Sequence, residues 1–308
     1  MRSLARSRLF WGSLAFLALA AVFPLVGNSY TIGVLVPAFY FAVFAMSWDL
    51  LFGFAGEVNF GPTFLIGLGA YGAGIVDARY NIGIPLSVAF GTVLAVAGGV
   101  ALALPALRLS GPYFGLVTLV AVLLLQQMVT VFAQVSGGEI GLSLPDVLSI
   151  DDGTNYYFAL AVLAVSGAVL FALSRSPAGL ILQACGQDAV EAGALGFNVA
   201  KHKLAAFVVS AFFSGLSGAL LVFYYGTASP GTFIDIAVGV QIIIAAVLGG
   251  RRTIVGAVLG AVFLVVAGEV LRPLGQMSTF VVSAVALAVI LLVPAGFLGT
   301  LLYRRGAA

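Results

Sequence analysis

Residues Arg175–Lys203 read RSPAGLILQACGQDAVEAGALGFNVAKHK. They decide the fold because they form the longest polar interruption in an otherwise apolar chain, with segments long enough to cross a bilayer on both sides. Pro177 suits the first turn of a helix, where its missing N–H costs nothing. Leu180, Ile181, Ala184 and Cys185 recur at helical spacing, with Gln183, Gln187 and Asp188 between them. Gly193 and Gly196 then loosen the chain. The pattern predicts one or two short amphipathic helices outside the membrane, with basic residues at both ends. A simple turn between two membrane segments needs far fewer residues, so the stretch reads as a docking surface; the plainer alternative is a long solvated loop.

Composition sets the class. Of 308 residues, 62% are hydrophobic and 8% charged, with a mean hydropathy of +1.19. Soluble domains carry about a quarter charged residues, so lipid must be the solvent for most of this chain. The single cysteine, Cys185, excludes an intrachain disulfide. The single histidine, His202, argues against a structural metal site. No GxxxxGK[ST] motif is present, and neither Lys201 nor Lys203 follows a glycine, so the chain has no phosphate-binding loop of its own.

Ten apolar segments can be read. They are Leu9–Val26, Ile32–Phe52, Pro62–Val76, Ile84–Pro105, Pro112–Val135, Tyr156–Leu173, Leu204–Tyr225, Ile236–Leu248, Ile254–Leu271 and Thr279–Val293. The first follows Arg2, Arg6 and Arg8 and is read as a retained helix, with a cleaved signal peptide ending near Ala18-Leu19-Ala20 as the alternative. The third and eighth fall short of the roughly 20 residues a spanning helix needs. Either they extend into their flanks or they do not cross in one straight piece. With a cytoplasmic N-terminus, ten crossings place Arg2, Arg6, Arg8, Arg108, Arg175, Lys201, Lys203, Arg251, Arg252, Arg304 and Arg305 inside, and only Arg79 and Arg272 outside. That asymmetry follows the positive-inside rule. The expectation is an all-α, polytopic membrane protein of about ten transmembrane helices. Residues 1–308 form one transmembrane domain in the lipid bilayer, with both termini and the 175–203 loop cytoplasmic.

The richest local signal is Gly53-Phe54-Ala55-Gly56-Glu57-Val58-Asn59-Phe60-Gly61-Pro62, followed by Gly67, Gly69, Gly72 and Gly74. Glycine permits close backbone approach and helix breaks, and Pro62 disfavours helix at Gly61. Broken backbone at membrane depth is tolerated only against protein or a water-filled cavity, and discontinuous helices often build transport sites. Gly56, Asn59, Gly61, Pro62, Gly67 and Tyr71 are therefore the candidate translocation-pathway residues, with plain helix packing as the alternative. Whether 53–62 is re-entrant stays open. Asp49 and Glu57 flank the element and are read as lying near the cytoplasmic interface, where a carboxylate reaches water. Glu269 and Arg272 are spaced to pair. Gln126 and Gln127 are read as buried polar groups that need partners, at least one of them on a neighbouring helix. Gly249-Gly250 and Gly256-x3-Gly260 loosely echo the first glycine cluster, as an internal repeat or as the shared demand of close packing.

Ser47–Gly74 (SWDLLFGFAGEVNFGPTFLIGLGAYGAG) resembles the glycine-rich signature of LivM-type permeases, the membrane subunits of ABC importers for branched-chain amino acids. Arg108–Leu119 (RLSGPYFGLVTL), Arg175–Ala211 and Leu248–Ala261 (LGGRRTIVGAVLGA) resemble three further blocks of that family, in the family's order. The resemblance implies a fold like type II ABC importer permeases and a coupling helix in the third block that fits a groove on a separate ATPase. That element maps to Glu191, Ala192 and Gly196. Leu195 and Phe197 beside it are read as apolar anchors. Many members carry Gly-x-Gly-Thr in the fourth block, where this chain has Arg251 and Arg252 before Thr253, and many carry His where it has Pro62.

The resemblance further implies a non-catalytic subunit of the cell inner membrane, without a cofactor. Its expected partners are a second homologous permease, two cytoplasmic ATPase subunits and an extracytoplasmic solute-binding protein, and no nucleic acid. Branched-chain or other hydrophobic amino acids are the expected substrates, with urea or short amides as the alternative. An ion-coupled secondary transporter would need a mid-membrane carboxylate or sodium site that the sequence does not offer. An intramembrane enzyme would need a His/Asp/Glu constellation that is missing.

Overall fold

The computed structural model describes the backbone of residues 2–107, 109, 112–275, 277, 280, 281, 284, 287, 288 and 296, and the side chains from Gly12 onward. The helices are α1 (Arg2–Val22), α2 (Ser29–Asp49), α3 (Pro62–Tyr80), α4 (Ile84–Ala106), α5 (Pro112–Val131), α6 (Ala133–Ser136), α7 (Asp152–Arg175), α8 (Pro177–Gln187), α9 (Ala189–Ala194), α10 (Val199–Tyr225), α11 (Pro230–Phe233), α12 (Ile236–Gly249) and α13 (Val255–Val270). The fold is all-α apart from one two-residue antiparallel pair, in which β1 (Leu142–Ser143) lies beside β2 (Thr227–Ala228). Among the described residues, six helical stretches are long and apolar enough to cross a membrane: Ser29–Phe54, Ile84–Ala106, Pro112–Val131, Asp152–Arg175, Val199–Tyr225 and Pro230–Gly249. The tenth apolar segment, Thr279–Val293, and the basic tail lie largely or wholly outside the described residues.

Local chemistry starts these helices. Asn28, Asp151, Asn198 and Asp235 each accept a hydrogen bond from a first-turn amide of α2, α7, α10 and α12. The Thr154 hydroxyl and amide both bind the Asp151 carboxylate and hold it below the usual carboxylate range. Proline stands in the first turn of α3, α4, α8 and α11.

The two short segments resolve differently. The third extends at its far end into a 19-residue helix that takes in Asp77 and Arg79. At about 1.5 Å per residue it reaches roughly 28 Å, the thickness of a hydrocarbon core. The eighth forms α12, and Ile234 and Asp235 separate it from the short helix α11 before it.

α3 sits at the centre, enclosed by α4, α5, α10, α11 and α12, while α2 packs against α7, α10, α12 and α13. Small residues permit the central packing. A Cβ added at Gly69 of α3 would stand 2.7 Å from Gly215 Cα of α10, so the two helices meet backbone to backbone. Tyr40, Trp48, Phe39 and Phe207 are fully buried elsewhere in the bundle. The glutamines of α5 are placed otherwise than expected: Gln126 is half-buried and Gln127 exposed. An all-apolar helix gives no polar face from which its buried side can be read.

Gly69→Val should destabilise the bundle. Overpacking costs about 1–3 kcal/mol, which exceeds the roughly 0.5–1 kcal/mol gained by removing a helical glycine. Thermal unfolding of the detergent-purified protein should show a lowered midpoint. Gly268→Ala, which has no atom within 4 Å of the new Cβ, should show none.

Candidate functional site: a clamped break between two helices

α2 does not end at Asp49 but winds into a π-helical turn, Leu50–Phe54, and the chain then runs irregularly through Ala55–Gly61 before Pro62 opens α3. Irregular backbone needs partners for its polar groups, and side chains supply them. Trp48 Nε1 donates to Asn59 O at 2.6 Å. Asn59 Oδ1 accepts from Gly61 N at 2.8 Å. Thr118 Oγ1 on α5 accepts from Phe60 N at 3.0 Å. Gly61 is pressed against the Thr118 carbonyl, where a Cβ would collide.

The structure places the six candidate pathway residues on this break and the helix after it. Asn59, Gly61, Pro62, Gly67 and Tyr71 are buried within the single chain, and Gly56 is half-buried. Gly67 faces Ile234 between α11 and α12, as well as Leu125 of α5. The hydroxyls of Tyr71 and Thr63 are buried without a hydrogen-bond partner among the described residues. Gly56 points the other way: it has φ +73°, and its Cβ would stand 2.6 Å from Gly186 O at the end of α8.

Two clamps hold the break from outside. The first is Asp49, read from sequence as reaching water but 1% exposed. Its Oδ1 accepts from Arg252 N at 3.0 Å and its Oδ2 from Ile254 N at 3.1 Å. Both residues belong to the turn between α12 and α13, and both have positive φ, +66° and +49°. Such conformations cost a non-glycine residue roughly 1–2 kcal/mol, and the carboxylate offsets that cost. Arg252 stands where many of the resembling sequences carry glycine, and its Nε also donates to Gly53 O at 2.7 Å. Arg251 stacks over the Phe52 ring at 4.3 Å. Burial and the neighbouring Arg252 charge pull Arg251 below the usual guanidinium range, while Asp49 opposes them.

The second clamp is an ion pair. Lys203 Nζ, in the first turns of α10, lies 2.6 Å from Glu57 Oε1. Sequence reasoning named Glu57 and Lys203 but did not join them. The expected pair of Glu269 and Arg272 is present at 2.9 Å at the opposite end of the bundle, where Tyr30 also donates to Glu269.

The polar stretch folds as two short helices, α8 and α9, and its basic end is already the start of α10. Asp188 Oδ1 accepts from Val190 N and Glu191 N and so starts α9. Gly196, with φ +88°, makes the bend after it. Glu191, Leu195, Gly196 and Phe197 are exposed and Ala192 is buried. Val190 is 82% and Leu195 75% exposed.

Residues 30–294 match the family described as branched-chain amino acid transport system / permease component. The high-affinity branched-chain amino acid transport system permease protein LivM of Escherichia coli (strain K12) is 25% identical over 92% of this chain and 73% of its own length. LivH of Salmonella typhimurium, a permease protein of the same kind of system, is 27% identical over 84% of this chain and 91% of its own. BraD of Pseudomonas aeruginosa, likewise named as such a permease, is 36% identical over 36% of this chain. No solved structure matches.

Asp49→Asn should loosen the α12–α13 turn. An amide turns an NH₂ donor toward one of the two backbone N–H groups, and an unmet buried group costs about 1–3 kcal/mol. The purified variant should unfold at a lower temperature than the parent; an unchanged midpoint would show that the carboxylate does not hold the turn.

Proposed function

Because the chain belongs to the family of branched-chain amino acid transport system permease components, we propose that it is the membrane-spanning permease subunit of an ATP-driven importer for branched-chain or other hydrophobic amino acids. It sits in the inner membrane with both termini cytoplasmic. It works with a second homologous permease, two cytoplasmic ATPase subunits that hydrolyse the ATP, and an extracytoplasmic solute-binding protein. The observation that carries this reading is the exposed apolar surface of the polar stretch. Val190, Leu195 and Phe197 face solvent on a bent helical element between α7 and α10. Exposed apolar side chains on an otherwise polar element mark a surface that another protein covers.

In this reading Leu195 and Phe197 seat in a groove of the ATPase, Ala192 holds α9 to the body, Glu191 orients the contact from the rim, and Gly196 sets the bend. Apolar anchors dominate interfaces, whereas rim charges mainly steer them. The break at Gly56, Asn59, Gly61 and Pro62, with Gly67 and Tyr71 behind it, shapes the translocation route. Irregular buried backbone and unpartnered hydroxyls support that placement.

Leu195→Asp should release the ATPases or uncouple hydrolysis from uptake, and Glu191→Gln should do less. The measurement is co-purification of the ATPases followed by uptake of radiolabelled leucine into proteoliposomes containing the whole complex and the solute-binding protein. Normal binding and normal uptake with Leu195→Asp would return the stretch to an ordinary solvated loop.

A further inference from the structure

The loop Ala55–Gly61 and the polar stretch touch at two places with different chemistry. At the first, glycine meets glycine. A Cβ at Gly56 would stand 2.6 Å from Gly186 O, and a Cβ at Gly186 would stand 2.7 Å from the Ala55 carbonyl carbon. Neither backbone can shift toward the other, so displacement of the α8 end pushes directly on the loop. Such a contact transmits compression and no tension. At the second, Glu57 and Lys203 are joined at 2.6 Å, although 146 residues separate them in sequence. Their side chains are 15% and 17% exposed, so water screens the pair far less than an exposed one. An ion pair resists separation, which is what the glycine contact cannot do. Lys203 lies on α10, the helix that continues from the bend after α9 and packs along α3 and α4.

We propose that the Glu57–Lys203 ion pair is the return link of the transporter, pulling the glycine-rich loop back when the polar stretch moves away from it. This rests on the reading of α8–α9 as the ATPase-docking element. Glu57 and Lys203 are positioning residues: neither meets ATP or the transported molecule. Removing one partner leaves the other charge unmatched in a partly buried place, and exchanging the two restores attraction with the polarity reversed.

The test uses the assembled complex in proteoliposomes with Glu57→Gln, Lys203→Gln and the double exchange Glu57→Lys/Lys203→Glu. Leucine uptake and ATP hydrolysis are measured together, after ATPase co-purification and a thermal midpoint for each variant. Each single variant should keep its ATPases and lower uptake per ATP hydrolysed by at least about fivefold, the low end of ordinary coupling between sites. The double exchange should recover most of the ratio. An unchanged ratio in the single variants would overturn the proposal. So would a double exchange that assembles with a normal midpoint yet couples as poorly as the singles. Loss of the ATPases from the single variants would overturn it too, by making the pair part of the docking surface; the docking reading itself stands or falls on Leu195→Asp alone.

Discussion

The carboxylate of Asp49 is the constraint on which the end of the bundle around residues 49–61 and 250–254 depends. One buried side chain accepts from two backbone amides of a turn more than 200 residues away. The turn contains two non-glycine residues with positive φ, Arg252 and Ile254. A bond to an ionised acceptor is stronger than a neutral one, and the two bonds to Asp49 favour the turn conformation against the strain of positive φ. The turn joins α12 to α13, and both helices pack on α2.

The same end carries the break between α2 and α3. Breaking a helix inside a membrane protein leaves amides and carbonyls that lipid cannot satisfy. Here Trp48, Asn59 and Thr118 satisfy three of them, while Asp49 ties the segment to the 252–254 turn and Glu57 ties it to α10. The π-helical turn 50–54 meets the turn at 250–254 through Phe52 O and Gly53 O, and the irregular loop after it meets the end of α8 at Gly56. A segment held in this way is tied to both neighbours, which under the proposed function links the docking element to the translocation route.

Much of this was legible in the sequence, for identifiable reasons. Low charge and long apolar runs dictate an all-α membrane protein, and four motif blocks in order point to the permease family. The spacing of Leu180, Ile181, Ala184 and Cys185 marks α8, and the shortness of Pro62–Val76 is made up by the continuation of its helix to Tyr80. What stayed hidden was long-range pairing. Nothing local says that Glu57 meets Lys203. The position of Asp49 near a helix end is compatible with water, yet the partner turn closes over it. An apolar helix does not reveal which side faces the bundle, and Gln127 lies on the exposed side. Arg252 left a trace: an arginine where resembling sequences carry glycine signals a backbone that glycine would relieve.

The central claim is that residues 49–61 and 183–203 form one mechanical unit. Hydrogen–deuterium exchange on the assembled complex, compared with and without ATP, tests it most directly. The account predicts that amide protection in the two segments changes together, in the same direction and over the same ATP concentrations, while the β1–β2 end stays constant. A change confined to 183–203, with 49–61 unaffected, would contradict it.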